Sequence, residues 1–259
     1  MAPTLFTNVN ILEGTGVLPY RGSVLVEGNR IRQVGRSTSA ITPAGATLID
    51  GAGATLMPGM VEAHTHFSWN DAATLSGIQT MPLEEHVLWC AKVAKRYLHA
   101  GFTSCLGAAC AKPRLDVVIR NAINNGQIPG PRYLAASQEI TVPGGLGDET
   151  LPHLPFPEFS FGVNVNGAED MRKSVRMFLK YGVDSIKINL SGDNFVPGAD
   201  SHTAWMTDAE VAAAVEEVKM RGKRIIVHAR SKASIQQALR HGIELIYHAS
   251  FTDTETLDM

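Results

Sequence analysis

The chain has 259 residues, 44 % of them apolar, enough for one large domain or two ordinary ones with a sizeable core. A formal net charge of −2 leaves no electrostatic footprint for nucleic acid or an acidic membrane surface, so neither is expected as a partner. Cys90, Cys105 and Cys110 are odd in number and form no CxxC pair, which excludes a disulfide framework or zinc finger and suits a reducing compartment.

Residues 4–57 read as short strands: Leu5-Phe6-Thr7-Asn8-Val9-Asn10-Ile11-Leu12, Ser23-Val24-Leu25-Val26-Glu27, Arg30-Ile31-Arg32-Gln33-Val34-Gly35, Ala46-Thr47-Leu48-Ile49-Asp50 and Ala54-Thr55-Leu56-Met57. Gly28-Asn29 is a hairpin signal between the second and third. A sheet of this size is marginal as a domain on its own. Pro58-Gly59 argues against a helix at the entrance, and Met60, Val61 and Ala63 read as a short buried strand ending in His64-Thr65-His66.

From there helices ending in glycine alternate with strands. Helical patterns are predicted over residues 82–99, 115–125, 168–181, 207–222 and 231–241, the fourth opened by a Thr207/Glu210 capping box. Gly101, Gly126, Gly182, Gly222 and Gly242 fit left-handed C-caps. The strands that follow are predicted over residues 102–106, 132–136, 183–189, 224–228 and 243–248. Such units imply a parallel sheet with helical crossovers. The expected architecture is α/β: residues 58–259 as a (β/α)8 TIM-like barrel carrying strands 1–6, after an N-terminal part of a small β-sandwich over residues 1–57. The polar residues decide for the barrel, because His64, His66, Lys187, Asn189, His228 and His248 all fall at or near carboxyl ends of strands. An open sheet would carry a glycine-rich nucleotide loop after its first strand, and none follows His66.

In a strand, residues i and i+2 point to one side with Cα atoms roughly 6.5–7 Å apart. His64 and His66 would therefore leave one strand end side by side, which suits a divalent metal. His228 and His248 share a context, Ile-Ile-Val-His228-Ala and Leu-Ile-Tyr-His248-Ala, and neutral imidazole is the commonest ligand for zinc and its neighbours. Lys187 admits two readings: an amine made neutral by burial, or a buried cation paired with a carboxylate such as Asp193. Asn189, two residues on, could supply an oxygen instead.

The stretches Pro58-Gly59-Met60-Val61-Glu62-Ala63-His64-Thr65-His66, Asp184-Ser185-Ile186-Lys187-Ile188, Val227-His228-Ala229 and Tyr247-His248-Ala249 resemble the metal-dependent amidohydrolase superfamily, in its imidazolonepropionase-like and prolidase-like branch. The resemblance implies two divalent metals, zinc first, with cobalt, manganese or iron as alternatives. It assigns His64, His66, His228 and His248 as ligands and a carbon dioxide-derived carbamate on Lys187 as the bridge. It implies a metal-activated hydroxide attacking amide-like C–N bonds in dipeptides, N-acyl amino acids, or cyclic amide, urea and carbamate compounds. The general-base aspartate of the family matches no residue up to Met259. A chain truncated after strand 6 is therefore expected, and by itself it is expected to be inactive unless a second piece completes it.

The glycine- and proline-rich loop over residues 140–166 carries His153, Phe156 and Phe159, and a second loop over residues 191–206 carries His202 and Trp205. Trp69, His153 and His202 are candidates to line a substrate pocket, and Arg230 to grip a substrate carboxylate or form a surface salt bridge. Pro143-Gly144-Gly145-Leu146-Gly147 lacks the Gly-Lys-Ser/Thr of a phosphate cradle. The partner expected is a small molecule, with a homo-oligomer as the one protein contact considered. No basic-then-apolar leader opens the sequence and no apolar run could span a bilayer, so the expected address is the cytoplasm. Rival readings are a deaminase of the same superfamily, against which Lys187 argues, and a truncated non-catalytic paralogue.

Overall fold

A computed structural model describes residues 2–36, 41, 44–154, 160–193 and 196–259, so Phe156 and Phe159 of the long loop lie outside the described residues. The chain divides into two compact units, Met1–Gly59 and Met60–Met259.

In the first unit, β1 (Thr4–Ile11) pairs antiparallel with β2 (Tyr20–Glu27), which pairs with β3 (Arg30–Gly35) across Gly28-Asn29, with Glu27 opposite Arg30. β4 (Thr47–Asp50) and β5 (Thr55–Leu56) add to the other side of β1 in parallel. The register of β1 breaks between Phe6 and Val9, where Asn8 takes a left-handed φ of 50° that asparagine tolerates better than most residues. Period-2 alternation places Leu5 against Leu25 and Ile41, and Val9 and Ile11 against Val24, in two small apolar clusters.

The second unit opens with β6 (Met60–Thr65), α1 (Leu75–Thr80), α2 (Leu83–His99), β7 (Phe102–Gly107), α3 (Leu115–Asn124) and β8 (Arg132–Leu134). It continues through β9 (Ala136–Thr141), β10 (Gly162–Asn164), α4 (Ala168–Tyr181) and β11 (Ser185–Asn189). The last elements are α5 (Asp208–Lys219), β12 (Arg224–Ala229), α6 (Lys232–Arg240), β13 (Leu245–His248) and α7 (Thr254–Asp258). Two all-parallel sheets result, β6-β7-β8 and β10-β9-β11-β12-β13. Their core is the apolar faces of strands and helices, with Phe178, Val175 and Met171 of α4 packed in the cluster that holds Ile186 and Ile188 of β11.

Local signals set the helix ends. The Thr207/Glu210 capping box opens α5, and Gly182, with φ 91°, closes α4 in the left-handed conformation. α7 is capped by Asp253, whose side chain accepts from the Thr256 N–H at 2.9 Å. Glu217 of α5, fully buried, accepts from Arg176 of α4 at 2.5 Å and from Arg221 at 2.6 Å, tying the two helices together.

The structure departs from the sequence reading in two places that matter for the site. The strand expected over residues 132–136 breaks at Ala135, and β9 continues to Thr141 in the other sheet, where a loop from residue 140 is the sequence expectation. Asp184 fixes the break by accepting the Ala135 N–H at 2.8 Å while its own N–H donates to the Ala135 carbonyl. β9 is hidden from sequence because Ser137, Gln138, Glu139 and Thr141 are polar, yet every residue of it is buried between β10 and β11. β6 forms as expected but is not buried: Met60 is 38 % and Val61 70 % exposed, because β6 pairs with β7 on one side only. No described helix is long and apolar enough to cross a membrane.

Candidate metal centre

Parallel register brings the polar strand ends of the second unit to one place. Lys187 lies opposite Glu139 across β11 and β9, Asn189 opposite His228, and Ala229 opposite His248. His64 sits near the end of β6 and His66 just past it. Ring centroids of His64 and His66 are 5.1 Å apart, those of His64 and His248 5.1 Å, and those of His228 and His248 4.5 Å. One ligand atom each from Asp193, His228 and His248 falls within 4.8 Å of the others. A cavity of about 440 Å³, within the range of small-molecule sites, is lined by all four histidines together with Lys187 and Glu139.

Hydrogen bonds orient the imidazoles. Nδ1–H of His66 donates to the Ala109 carbonyl at 3.2 Å and leaves the Nε2 lone pair available. His228 donates from Nε2 to the Gly192 carbonyl at 3.1 Å, leaving Nδ1. The His64 ring stacks on Tyr247 at 4.0 Å, and the Tyr247 hydroxyl donates to the Ala63 carbonyl. His248 and Ala249 hold φ of 76° and 47°, strained backbone for residues with a side chain, at the strand end that delivers His248.

The electrostatics keep the imidazoles neutral. Burial, then the neighbouring Lys187 charge, pushes His64 down to about 4 and His228 to about 2, and holds His66 well below its ordinary value. Burial, then Arg230, pushes His248 down to about 4. Burial also lowers Lys187, against the opposing pull of Glu139. A cluster of neutral imidazoles whose lone pairs are not all used by the protein is a donor set for a divalent cation, and the residues fit one.

The Lys187 ammonium, 1 % exposed, finds its carboxylate in Glu139, with Nζ 3.6 Å from Oε1; Asp193, the partner considered from sequence, instead pairs with Arg230 at 2.7 Å. Nζ of Lys187 also lies 5.6 Å from the centroid of the Tyr247 ring. Arg230 lines the cavity with its Nε committed to Asp193 and its Nη1 to Ser250 at 2.8 Å, so the salt bridge it forms is on the cavity wall. Asn189 donates from Nδ2 to the Leu146 carbonyl at 2.8 Å, and its Oδ1 is buried without a hydrogen-bond partner.

Of the pocket candidates, Trp69 lines the cavity and stacks on His66 at 4.0 Å. His153 is exposed, His202 stacks on Phe251 at 4.0 Å, and neither is among the described residues that line the cavity. Glu139, Glu149 and Phe161 escape the sequence reading. Glu139 has one legible signal, a charged or polar residue near the end of a strand, as in β11, β12 and β13. Glu149 and Phe161 reach the cavity from the long connection, where the Phe161 N–H donates to Glu149 at 3.0 Å and no sequence period operates.

Residues 55–256 match the amidohydrolase family. Ochratoxinase of Aspergillus niger is 27 % identical over 229 residues, covering 79 % of this chain and 45 % of that protein. The 5'-deoxyadenosine deaminase of Methanothermobacter thermautotrophicus is 46 % identical over 65 residues, 25 % of this chain and 14 % of that protein. The crystal structure of a Xaa-Pro dipeptidase with bound methionine in its active site superposes with a TM-score of 0.86 at 26 % identity, covering 99 % of this chain and 64 % of that one. The chain thus spans about half the length of the ochratoxinase it matches. Matched over most of its length, with strand-end histidines gathered around one cavity, the chain belongs to the amidohydrolase family.

Proposed function

We propose that the chain carries the metal-binding part of a hydrolase of amide-like C–N bonds. The observation that supports this most directly is the gathering of four imidazoles around buried Lys187 at the carboxyl ends of parallel strands. The strands from β6 to β13, with β10 left out and β8 and β9 taken together as one interrupted strand, are assigned to the first six strands of a (β/α)8 barrel, and residues 1–57 to part of a composite β-sandwich. His64, His66, His228 and His248 would hold two divalent metals, zinc by preference, with Lys187 joining them as a carbamate.

When bound, the metals supply an acidified water and a Lewis acid for the substrate carbonyl. The chain's own residues do the rest. The Ala109 and Gly192 carbonyls fix which nitrogen of His66 and His228 faces the cavity. Trp69 and Phe161, with ring centroids 5.3 Å apart, give an apolar wall for the acyl or amine part of the substrate. Hydrolysis adds one water across the C–N bond: the acyl carbon keeps the oxygen, and the nitrogen leaves with the proton. The Xaa-Pro dipeptidase, by its name and similarity, points to dipeptides as the first substrates to try, with N-acyl amino acids beside them.

Metal analysis of the purified chain tests the reading. About two zinc-type ions per chain are expected, falling on His64→Ala or Lys187→Ala; a folded wild-type chain that takes up no metal refutes it. A second reading, deamination, is favoured by the 46 % identity to the deaminase over 65 residues. Release of ammonia from an aminopurine nucleoside, without cleavage of N-acyl amino acids, would decide for it.

A further inference from the structure

We propose that Glu139 is an oxygen donor of the metal centre and shares its cation with Lys187. This rests on the reading of the cavity as a metal site. Three observations carry it. First, the register of β9 against β11 places Glu139 directly opposite Lys187, so both side chains leave the same face of the sheet one strand spacing apart. Second, Oε1 of the Glu139 carboxylate lies 3.6 Å from Lys187 Nζ, and Oε2 points to Gly147, where an added Cβ would sit 2.7 Å from it. Gly147, with φ 96°, thus leaves a cradle that no side chain can occupy without moving that oxygen. Third, Glu139 is 8 % exposed and lines the same cavity as the four histidines, so its carboxylate is withdrawn from solvent toward the site.

Charge explains why the carboxylate belongs to the metal and not to Lys187 alone. Without metal, ammonium and carboxylate cancel. Carbamate formation replaces this balance: the Lys187 ammonium and carbon dioxide give Lys-NH-COO⁻ and two protons, with a new N–C bond and one C=O electron pair moved onto oxygen. Two anions then face each other in a buried site, an arrangement that is unfavourable unless a cation is shared between them. With Glu139 as a ligand, the pair that stabilises Lys187 in the metal-free chain becomes a pair of oxygen donors in the loaded one. A mere counter-ion for Lys187 would have no such second role.

Cobalt(II) titration followed by visible absorbance tests the proposal on the full 259-residue chain. Glu139→Gln is expected to weaken cobalt binding at least tenfold and to shift the d–d band, with circular dichroism unchanged. Since Glu139→Gln strands the Lys187 ammonium, a second comparison removes that charge: Lys187→Met alone should hold cobalt at least tenfold more tightly than Lys187→Met with Glu139→Gln. Wild-type affinity and spectrum in Glu139→Gln, with cobalt lost in His64→Ala, overturns the role of Glu139 and leaves the metal centre standing. Equal cobalt affinity in the single and double Lys187 variants overturns it as well. A wild-type chain that binds no cobalt removes the metal reading and this inference with it.

Discussion

The Tyr133 hydroxyl donates to Oδ2 of Asp116 at 2.6 Å, in a fully buried contact beside the β8–β9 break. The same oxygen accepts the Ala136 N–H at 3.2 Å, while Oδ1 has no partner. Burial outweighs these two donors and pushes the Asp116 carboxyl up to about 7. Because the folded value lies above the unfolded one, near 3.9, Asp116 favours folding fully below pH of about 4. That contribution is lost as pH rises toward about 7. Asp116→Asn should therefore remove a fall in stability between pH 5 and pH 8. Urea unfolding at the two pH values checks it: the wild type should lose more stability than the variant, and parallel losses would refute the assignment.

Glu217 behaves with the opposite sign. Arg176 first, then Arg221, holds its carboxyl down at about 2, below the unfolded value near 4.3. Its contribution is complete above about pH 4.3 and disappears as pH falls through about 2. Glu217→Gln should cost about 2 kcal/mol at pH 7, as expected for losing hydrogen bonds to charged groups, and much less near pH 2. Denaturant midpoints at pH 7 and at acid pH measure the difference.

Gly192 connects a loop to a ligand. Its carbonyl accepts from His228, and a Cβ at this position would sit 1.9 Å from the Ala199 carbonyl oxygen. Backbone cannot yield as a flexible side chain can, so Gly192→Ala must shift the loop that orients His228. The expected result is a tenfold or greater loss of metal affinity, in the range seen when outer partners of metal-bound histidines are removed. Calorimetric metal titration, with circular dichroism as the fold control, would show it; unchanged affinity would mean that the Gly192 carbonyl does not set the imidazole.

Sequence pattern carries much of the second unit because its signals are local. The helix ends at Gly182 and the Thr207/Glu210 box depend on residues within one turn, and both are found where the pattern puts them. His228 and His248 are legible as a pair because each lies at the carboxyl end of an apolar strand. The exposure of β6 is not legible: Met60 and Val61 look like core residues, but their burial depends on whether a second strand pairs beside β6. Glu139 is hidden for the converse reason, since a polar run reads as loop until strands on both sides bury it.

The sequence by itself determined the alternation of strand and helix, the strand-end positions of His64, Lys187, His228 and His248, and the resemblance those positions carry. Those properties follow from side-chain period, caps and residue chemistry within a few positions. Only the tertiary structure decided that Glu139 and not Asp193 faces Lys187, that Trp69 and Arg230 line the cavity while His153 and His202 do not, and which imidazole nitrogens are already bonded. Each of these depends on strand register and on loops meeting across tens of residues, where a shift of one residue turns a side chain to the other face.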